Sequence, residues 1–140
     1  MLQDVGRQPV QLLDGPDFRL RSAVVAALRE IRSLDLPARA GKLGSHAMDR
    51  LAAAAARHPD LIKEVRGRGL LIGVQFSDSD TAGLVIAGLL QRGVIAAYTL
   101  NNPDVIRIEP ALTILERDLD RGLDAFAEAV EQVAAMIAGL

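Results

Sequence analysis

An arginine inside a predicted strand is the residue of this sequence best suited to bind an anion. Arg107 lies between Ile106 and Ile108, and the alternation of a strand puts it on the face opposite those two side chains. A guanidinium in that position must find an anion or reach solvent, and its planar fork suits two-pronged binding of a carboxylate. The residues alone leave two interpretations open, a carboxylate ligand or an ion pair with a neighbour such as Glu109 or Asp104.

A glycine-rich run upstream has the composition of a phosphate-binding loop but leads into the wrong kind of element. Gly67, Gly69 and Gly73 lead into a predicted strand, whereas a phosphate cradle needs a helix to begin at that point. We therefore interpret the glycines as a bend or a close approach of backbone. Arg66 and Arg68 within the run are interpreted as a pair that faces solvent or an interface.

The composition excludes several kinds of chemistry. Cysteine is absent, which excludes disulfides, thiolate nucleophiles and Cys-ligated zinc. The two histidines, His46 and His58, have no carboxylate at ligand spacing, so we expect no metal site. With 16 basic and 18 acidic residues and 3% aromatics, the chain is not typical of a nucleic-acid partner. We see no signal peptide and no membrane-length apolar run, so we expect a cytoplasmic protein that does not contact a membrane.

The apolar spacing predicts eight elements in the order α-α-β-β-α-β-β-α. Pro37 separates the first two helices, and the helices are predicted at 18–34, 38–57, 81–92 and 115–138. Extended structure is predicted at 64–76, which should be mostly buried from residue 70 onward, and at 94–100 and 105–109, with a turn at 101–104. The expected fold is α+β, a small and mainly antiparallel sheet with helices packed on one face. Residues 1–17 are expected to be a leader or linker to a domain at 18–140.

Two segments closely resemble signatures of the class III, pyridoxal-phosphate-dependent aminotransferases. The first is HPDLIKEVRGRGLLIGV at residues 58–74, and the second is VIRIEPALTI at residues 105–114. They stand in the order that the family shows, and the resemblance covers roughly residues 21–138. The chain is therefore identified as similar to the C-terminal small domain of acetylornithine- and ornithine-type members.

The resemblance implies roles for several residues. In those members the arginine that matches Arg107 binds the α-carboxylate of the substrate, which implies the same role here. The glycine-rich run is structural in the family, a turn into the sheet. The residues assigned to structural motifs on this ground are Arg66, Gly67, Gly69, Gly73 and Pro110.

The sequence also departs from the family pattern. Pyridoxal phosphate is implied for the complete enzyme, but the lysine that binds it belongs to a large domain upstream, and Lys42 and Lys63 stand in no matching context. The carboxylate for the pyridine nitrogen is missing, and residues 1–17 replace the loop that usually precedes the first helix. Ala111 stands where a second proline is common. We expect no catalytic residue in this chain and no cofactor bound by it alone.

The expected function is that of the C-terminal domain of a class III aminotransferase, inactive on its own. It would form part of the substrate cleft and bind the carboxylate of an amino-acid substrate. Its partners would be the missing large pyridoxal-phosphate-binding domain or subunit and, through an exposed apolar patch, a second copy in a homodimer. Two alternatives stay open: a non-catalytic domain for oligomerisation or docking, and a regulatory module that binds a small molecule.

Overall fold

The computed structural model describes residues 18–139, which divide into two compact units at the boundary between Asp35 and Leu36. Helix α1 (Phe18–Ser33) belongs to the first unit. Its Val24, Leu28 and Ile31 recur at helical spacing, and all three side chains are exposed. The described part of the first unit therefore carries an apolar stripe on its surface.

The second unit contains the sheet and the other helices. Its elements are α2 (Leu36–Arg57), β1 (Ile62–Arg68), β2 (Leu71–Phe76), α3 (Ser79–Gln91), β3 (Ala97–Thr99), β4 (Asn102–Ile108) and α4 (Glu116–Ala138). The strands form one antiparallel sheet in the order β1-β2-β4-β3, and the helices pack on one face. The predicted α+β fold and element order are confirmed.

The core lies between the sheet and these helices. Alternate residues of β2, namely Ile72, Val74 and Phe76, are no more than 1% exposed, and so is Ile106 on the neighbouring β4. The ring of Phe76 packs against Phe126 of α4 with 6.3 Å between the ring centroids. Burial of each such side chain stabilises the fold by about 1.5–3 kcal/mol, so the alternation fixes which face of each strand turns inward.

The turn between β1 and β2 brings backbone close to α2. Gly69 in that turn has a φ of +56°, which glycine adopts readily. Its carbonyl lies directly against Gly44 of α2, so a Cβ at Gly44 would overlap it. At Gly67 a Cβ would come within 2.5 Å of the Leu71 carbonyl oxygen. Gly44 therefore allows α2 to approach the turn, and Gly67 allows β1 and β2 to approach each other near that turn.

An aspartate caps the N-terminus of α3. The side chain of Asp78 accepts a hydrogen bond from the backbone N–H of Thr81 at 2.8 Å. That bond, with the hydroxyl bonds from Ser77 and Thr81, lowers the pKa of the Asp78 carboxyl. The helix consequently begins at Ser79, two residues before the predicted start. At its other end Gly93 follows the helix with a φ of +75°.

Several predicted boundaries were wrong. Leu71 is 58% exposed because it neighbours the inward-facing Ile72, and buried Leu70 lies in the turn before the strand. β3 spans three residues only, and β4 begins at Asn102 because the Thr99 hydroxyl donates to the Asn102 carbonyl and closes a tighter turn than expected. Pro37 lies in the first turn of α2, where a missing N–H costs no helical hydrogen bond.

Two glycines of α2 provide a matched test of the close approach. We expect Gly44→Ala to lower the free energy of unfolding by about 1–3 kcal/mol, because the added methyl meets the Gly69 carbonyl. Gly41→Ala should be neutral or stabilise by up to about 1 kcal/mol, since no atom of the part of the chain that the structure describes lies within 4 Å of that Cβ position. Urea unfolding monitored by circular dichroism gives both values. Equal stability of the two variants would contradict this packing.

Candidate functional site

Arg107 lies on the sheet face opposite α2, α3 and α4. Its neighbours Ile106 and Ile108 belong to the core-facing row, and its register partners are Gly73 on β2 and Ala97 on β3. The side chain is 47% exposed, and its Nε lies 2.9 Å from Glu109 Oε1. The ion-pair partner considered from the sequence is therefore present.

The guanidinium of Arg107 retains capacity for a second anion. Glu109 is its one ion-pair partner among residues 18–139. A guanidinium carries five N–H donors, more than one carboxylate can use. The Arg107–Glu109 pair is about half exposed on both sides, and pairs of this kind contribute at most about 1 kcal/mol. A carboxylate ligand could share Arg107 or replace Glu109 at little cost.

Two more arginines lie on the same face of the sheet. The register places Arg66, Gly73 and Arg107 in one row across β1, β2 and β4. Arg66 donates to Glu64 at 2.5 Å and to Gln75 at 3.0 Å, so its charge is directed along the sheet away from Gly73. Arg68, opposite Leu71, is exposed. The row leaves a gap over Gly73 between two cationic side chains.

A cavity of about 550 Å³ opens where β4 ends. Arg107, Glu109 and Pro110 line it from the strand and from the segment that follows. Much of the remaining wall is apolar. Leu89 and Val94 come from the end of α3 and the segment before β3, Leu119 and Phe126 from the first half of α4, and Ile108 and Ile114 from β4 and the segment after it. The cavity is large enough for a small organic molecule beside Arg107.

The segment 109–115, which forms one wall of this cavity, is held by an arginine from a distant part of the sequence. Nη2 of Arg39, near the start of α2, donates to the carbonyl oxygen of Ile114 at 2.5 Å. The side chain of Ile114 packs on the core, and its N–H bonds to the Ala111 carbonyl within the segment. Sequence reasoning missed Arg39, because 75 residues separate the two groups and no local pattern connects them.

The described residues offer no set of ligands for a metal. Within 18–139 no cluster of three His, Asp or Glu side chains could hold an ion. His46 instead bonds Asp120 at 2.6 Å, and His58 lies 3.2 Å from Glu131. None of the helices in this range combines the length and apolar character that crossing a membrane requires.

The lysines do not fit pyridoxal phosphate. Lys63 on β1 donates its Nζ to the Ser77 carbonyl at 2.8 Å, and Lys42 is on the exposed side of α2. Neither contributes to the wall of the cavity beside Arg107. A lysine amine held against the cofactor is what Schiff-base chemistry requires, and the described residues place none there.

Comparison with known proteins identifies the family. The family model described as aminotransferase class-III matches residues 19–130. The chain belongs to the class III aminotransferases. A leucine/methionine racemase from Thermococcus litoralis is 40% identical over 119 residues, which is 79% of this chain and 26% of that protein. The chain thus spans about a quarter of the length of the curated relatives it matches.

Solved structures of family members share the fold. An acetylornithine aminotransferase from Elizabethkingia anophelis has a TM-score of 0.70 at 30% identity, with 77% of this chain and 27% of that one covered. An ornithine aminotransferase from Toxoplasma gondii has a TM-score of 0.71 at 30% identity, with 80% and 26% covered. The fold described above is therefore one part of a class III aminotransferase fold.

Removal of the Arg39 bond tests what holds the segment after β4. Arg39→Met should destabilise the chain by about 1–3 kcal/mol, because the part-buried Ile114 carbonyl loses a charged donor. Amide hydrogen exchange should accelerate at residues 111–115. Arg57→Met is the matched control, since Arg57 is exposed and its one ion pair within residues 18–139 is a 3.4 Å surface pair with Glu131. If both variants give the same stability and the same exchange, Arg39 does not hold the segment.

Proposed function

We propose that this chain is the C-terminal domain of a pyridoxal-phosphate-dependent class III enzyme and forms part of its substrate cleft. Arg107 binds the carboxylate of an amino-acid substrate. The observation that carries the proposal is the half-exposed guanidinium, weakly paired with Glu109, on the sheet face opposite α2, α3 and α4 and beside a cavity. The domain would comprise residues 18–140, with 1–17 as a leader or linker.

In this proposal the cofactor is held by a separate large domain or subunit. Pyridoxal phosphate, when bound there, supplies an electron sink for chemistry at the α-carbon. The present chain contributes recognition, because the guanidinium of Arg107 orients the substrate through its carboxylate. Glu109 either gives up its contact with Arg107 or shares Arg107 with that carboxylate. Its structural motif, Arg66 with Gly67, Gly69 and Gly73, and Pro110 after β4, keeps the strand that carries Arg107 in place.

The proposed role of Arg107 is tested in the complete enzyme that contains this domain. Arg107→Ala should cost about 2–4 kcal/mol in kcat/KM for an α-amino acid, since a charged hydrogen-bonding partner is lost. Arg107→Lys should also reduce kcat/KM, because the charge remains while the two-pronged geometry is lost. The amine left when the carboxylate is removed from the same donor should be affected little by either change.

The two donors separate recognition from stability. An Arg107 with only a structural role would lower thermal stability and reduce kcat/KM for both donors by the same factor. Equal losses for the amino acid and its decarboxylated counterpart would therefore exclude carboxylate binding by Arg107.

We further expect the 140-residue chain alone to bind no pyridoxal phosphate stoichiometrically and to catalyse no transamination. The placement of Lys42 and Lys63 away from the cavity is the physical reason. The measurement is incubation with excess cofactor, followed by borohydride reduction and intact-mass analysis. Partial, nonspecific adducts on both lysines are the expected background. A single stoichiometric adduct on one of the two lysines together with turnover would contradict the proposal.

The leucine/methionine racemase relative favours a second candidate reaction. It is 40% identical to this chain, more than the two solved aminotransferase structures at 30%. Racemisation and transamination both act on an α-amino acid, so a carboxylate-binding arginine serves either. The test is to incubate the complete enzyme with an L-amino acid and no oxo acid. Conversion of that amino acid to its D-enantiomer would support racemisation.

We also propose a homodimer and a cytoplasmic location. The apolar stripe of Val24, Leu28 and Ile31 on α1 supports an interface, because exposed apolar patches of this kind commonly mark surfaces of association. The same stripe supports the alternative that the chain acts only in oligomerisation or docking.

A further inference from the structure

A glycine lies directly opposite Arg107 in the sheet. Gly73 is the register partner of Arg107 on β2, and it is not among the described residues with positive φ. Glycine in the interior of a strand weakens the strand, since it adds conformational entropy to the unfolded chain and offers no side chain to pack. The backbone conformation at Gly73 is open to other residues, so it does not explain why a glycine stands here despite this cost.

The steric surroundings of Gly73 differ from those of the neighbouring glycines. A Cβ at Gly44 or Gly67 would overlap backbone carbonyl groups, which cannot move without displacing a helix or strand. Among the described residues, a Cβ at Gly73 would meet the Cγ1 methyl of Val105 at 3.3 Å and the Arg66 carbonyl oxygen at 4.0 Å. A small shift of one side chain would therefore accommodate an alanine at Gly73.

The space over Gly73 has a specific position relative to the charged groups. It lies in the row between Arg66 and Arg107, on the face opposite α2, α3 and α4. Side chains directly opposite in an antiparallel pair have Cβ atoms about 4.5–5.5 Å apart. A side chain at position 73 would therefore stand beside the stem of Arg107 and in front of part of the surface that a bound carboxylate must approach.

We propose that Gly73 is a specificity-determining residue that keeps open the space in which a substrate bound to Arg107 lies. This inference rests on the proposed function of Arg107 and goes beyond it by placing the substrate over β2, on the sheet face opposite α2, α3 and α4. The substrate then lies beside the cavity at the end of β4 and not within it, since Gly73 does not line that cavity. The part of the substrate next to its carboxylate would contact the backbone of Gly73. The structural motif needs a small residue at this position, and glycine in particular leaves room for the ligand.

The test is a small series of variants in the complete enzyme. Gly73→Ala should reduce kcat/KM for an α-amino acid by about tenfold or more, mainly through KM, because a misplacement of the order of 1 Å is costly. Gly73→Val should reduce it further. The amine lacking the carboxylate should be affected less, since Arg107 does not draw it to this position. In the 140-residue chain, the melting temperature of Gly73→Ala should change by no more than about 5 °C.

Two controls distinguish obstruction of the ligand from strain in the sheet. Gly83→Ala in α3 makes the same chemical change where no atom of residues 18–139 lies within 4 Å of the new Cβ, and it should leave kcat/KM unchanged. Val105→Ala combined with Gly73→Ala removes the methyl that the new Cβ would meet. If the loss of activity comes from obstruction of the substrate, the double variant keeps that loss even where stability recovers.

The outcomes also separate this inference from the proposed function. Recovery of kcat/KM in the double variant, or equal activity of Gly73→Ala and Gly83→Ala, would overturn the role of Gly73. If Arg107→Lys still discriminates between the two donors in that case, the proposed function stands without this inference. If Arg107→Lys does not discriminate, both are wrong.

Discussion

Burial of one face of the two central strands under three helices determines where the other features of the second unit lie. Ile72, Val74 and Phe76 on β2 and Ile106 on β4 are almost completely buried against α2, α3 and α4. Strand alternation then directs Arg107 to the opposite face, and antiparallel pairing puts Gly73 beside it. The position of the candidate site is thus a consequence of apolar packing on the other side of the sheet.

The candidate site combines a firmly held strand with a weakly held charge. β4 pairs with strands on both sides, and the segment after it is held by the bond from Arg39 to the Ile114 carbonyl. The Arg107–Glu109 pair is half exposed and contributes little to stability. This combination suits a recognition residue, because the guanidinium is positioned by the backbone and can exchange its partner at low cost.

The sequence allowed the fold to be predicted better than the details of the site. The spacing of the apolar residues and the two signature segments correctly predicted the α+β class and the element order, because side chains that face the core recur at regular intervals along each helix and strand. Leu71 and the ends of β3 were predicted wrongly, since register and turn closure depend on partners elsewhere in the chain. Arg39 and the pairing of Gly73 with Arg107 were not predictable, because long-range contacts leave no signal in a single sequence.

The central claim is that Arg107 holds a substrate carboxylate on the sheet face opposite α2, α3 and α4. Its most direct test is a crystal structure of the complete enzyme with a non-reactive carboxylate analogue of an amino acid bound. We predict two hydrogen bonds from the Arg107 guanidinium to that carboxylate, with the analogue lying over Gly73. A carboxylate bound by other residues, with Arg107 still paired only to Glu109, would contradict it.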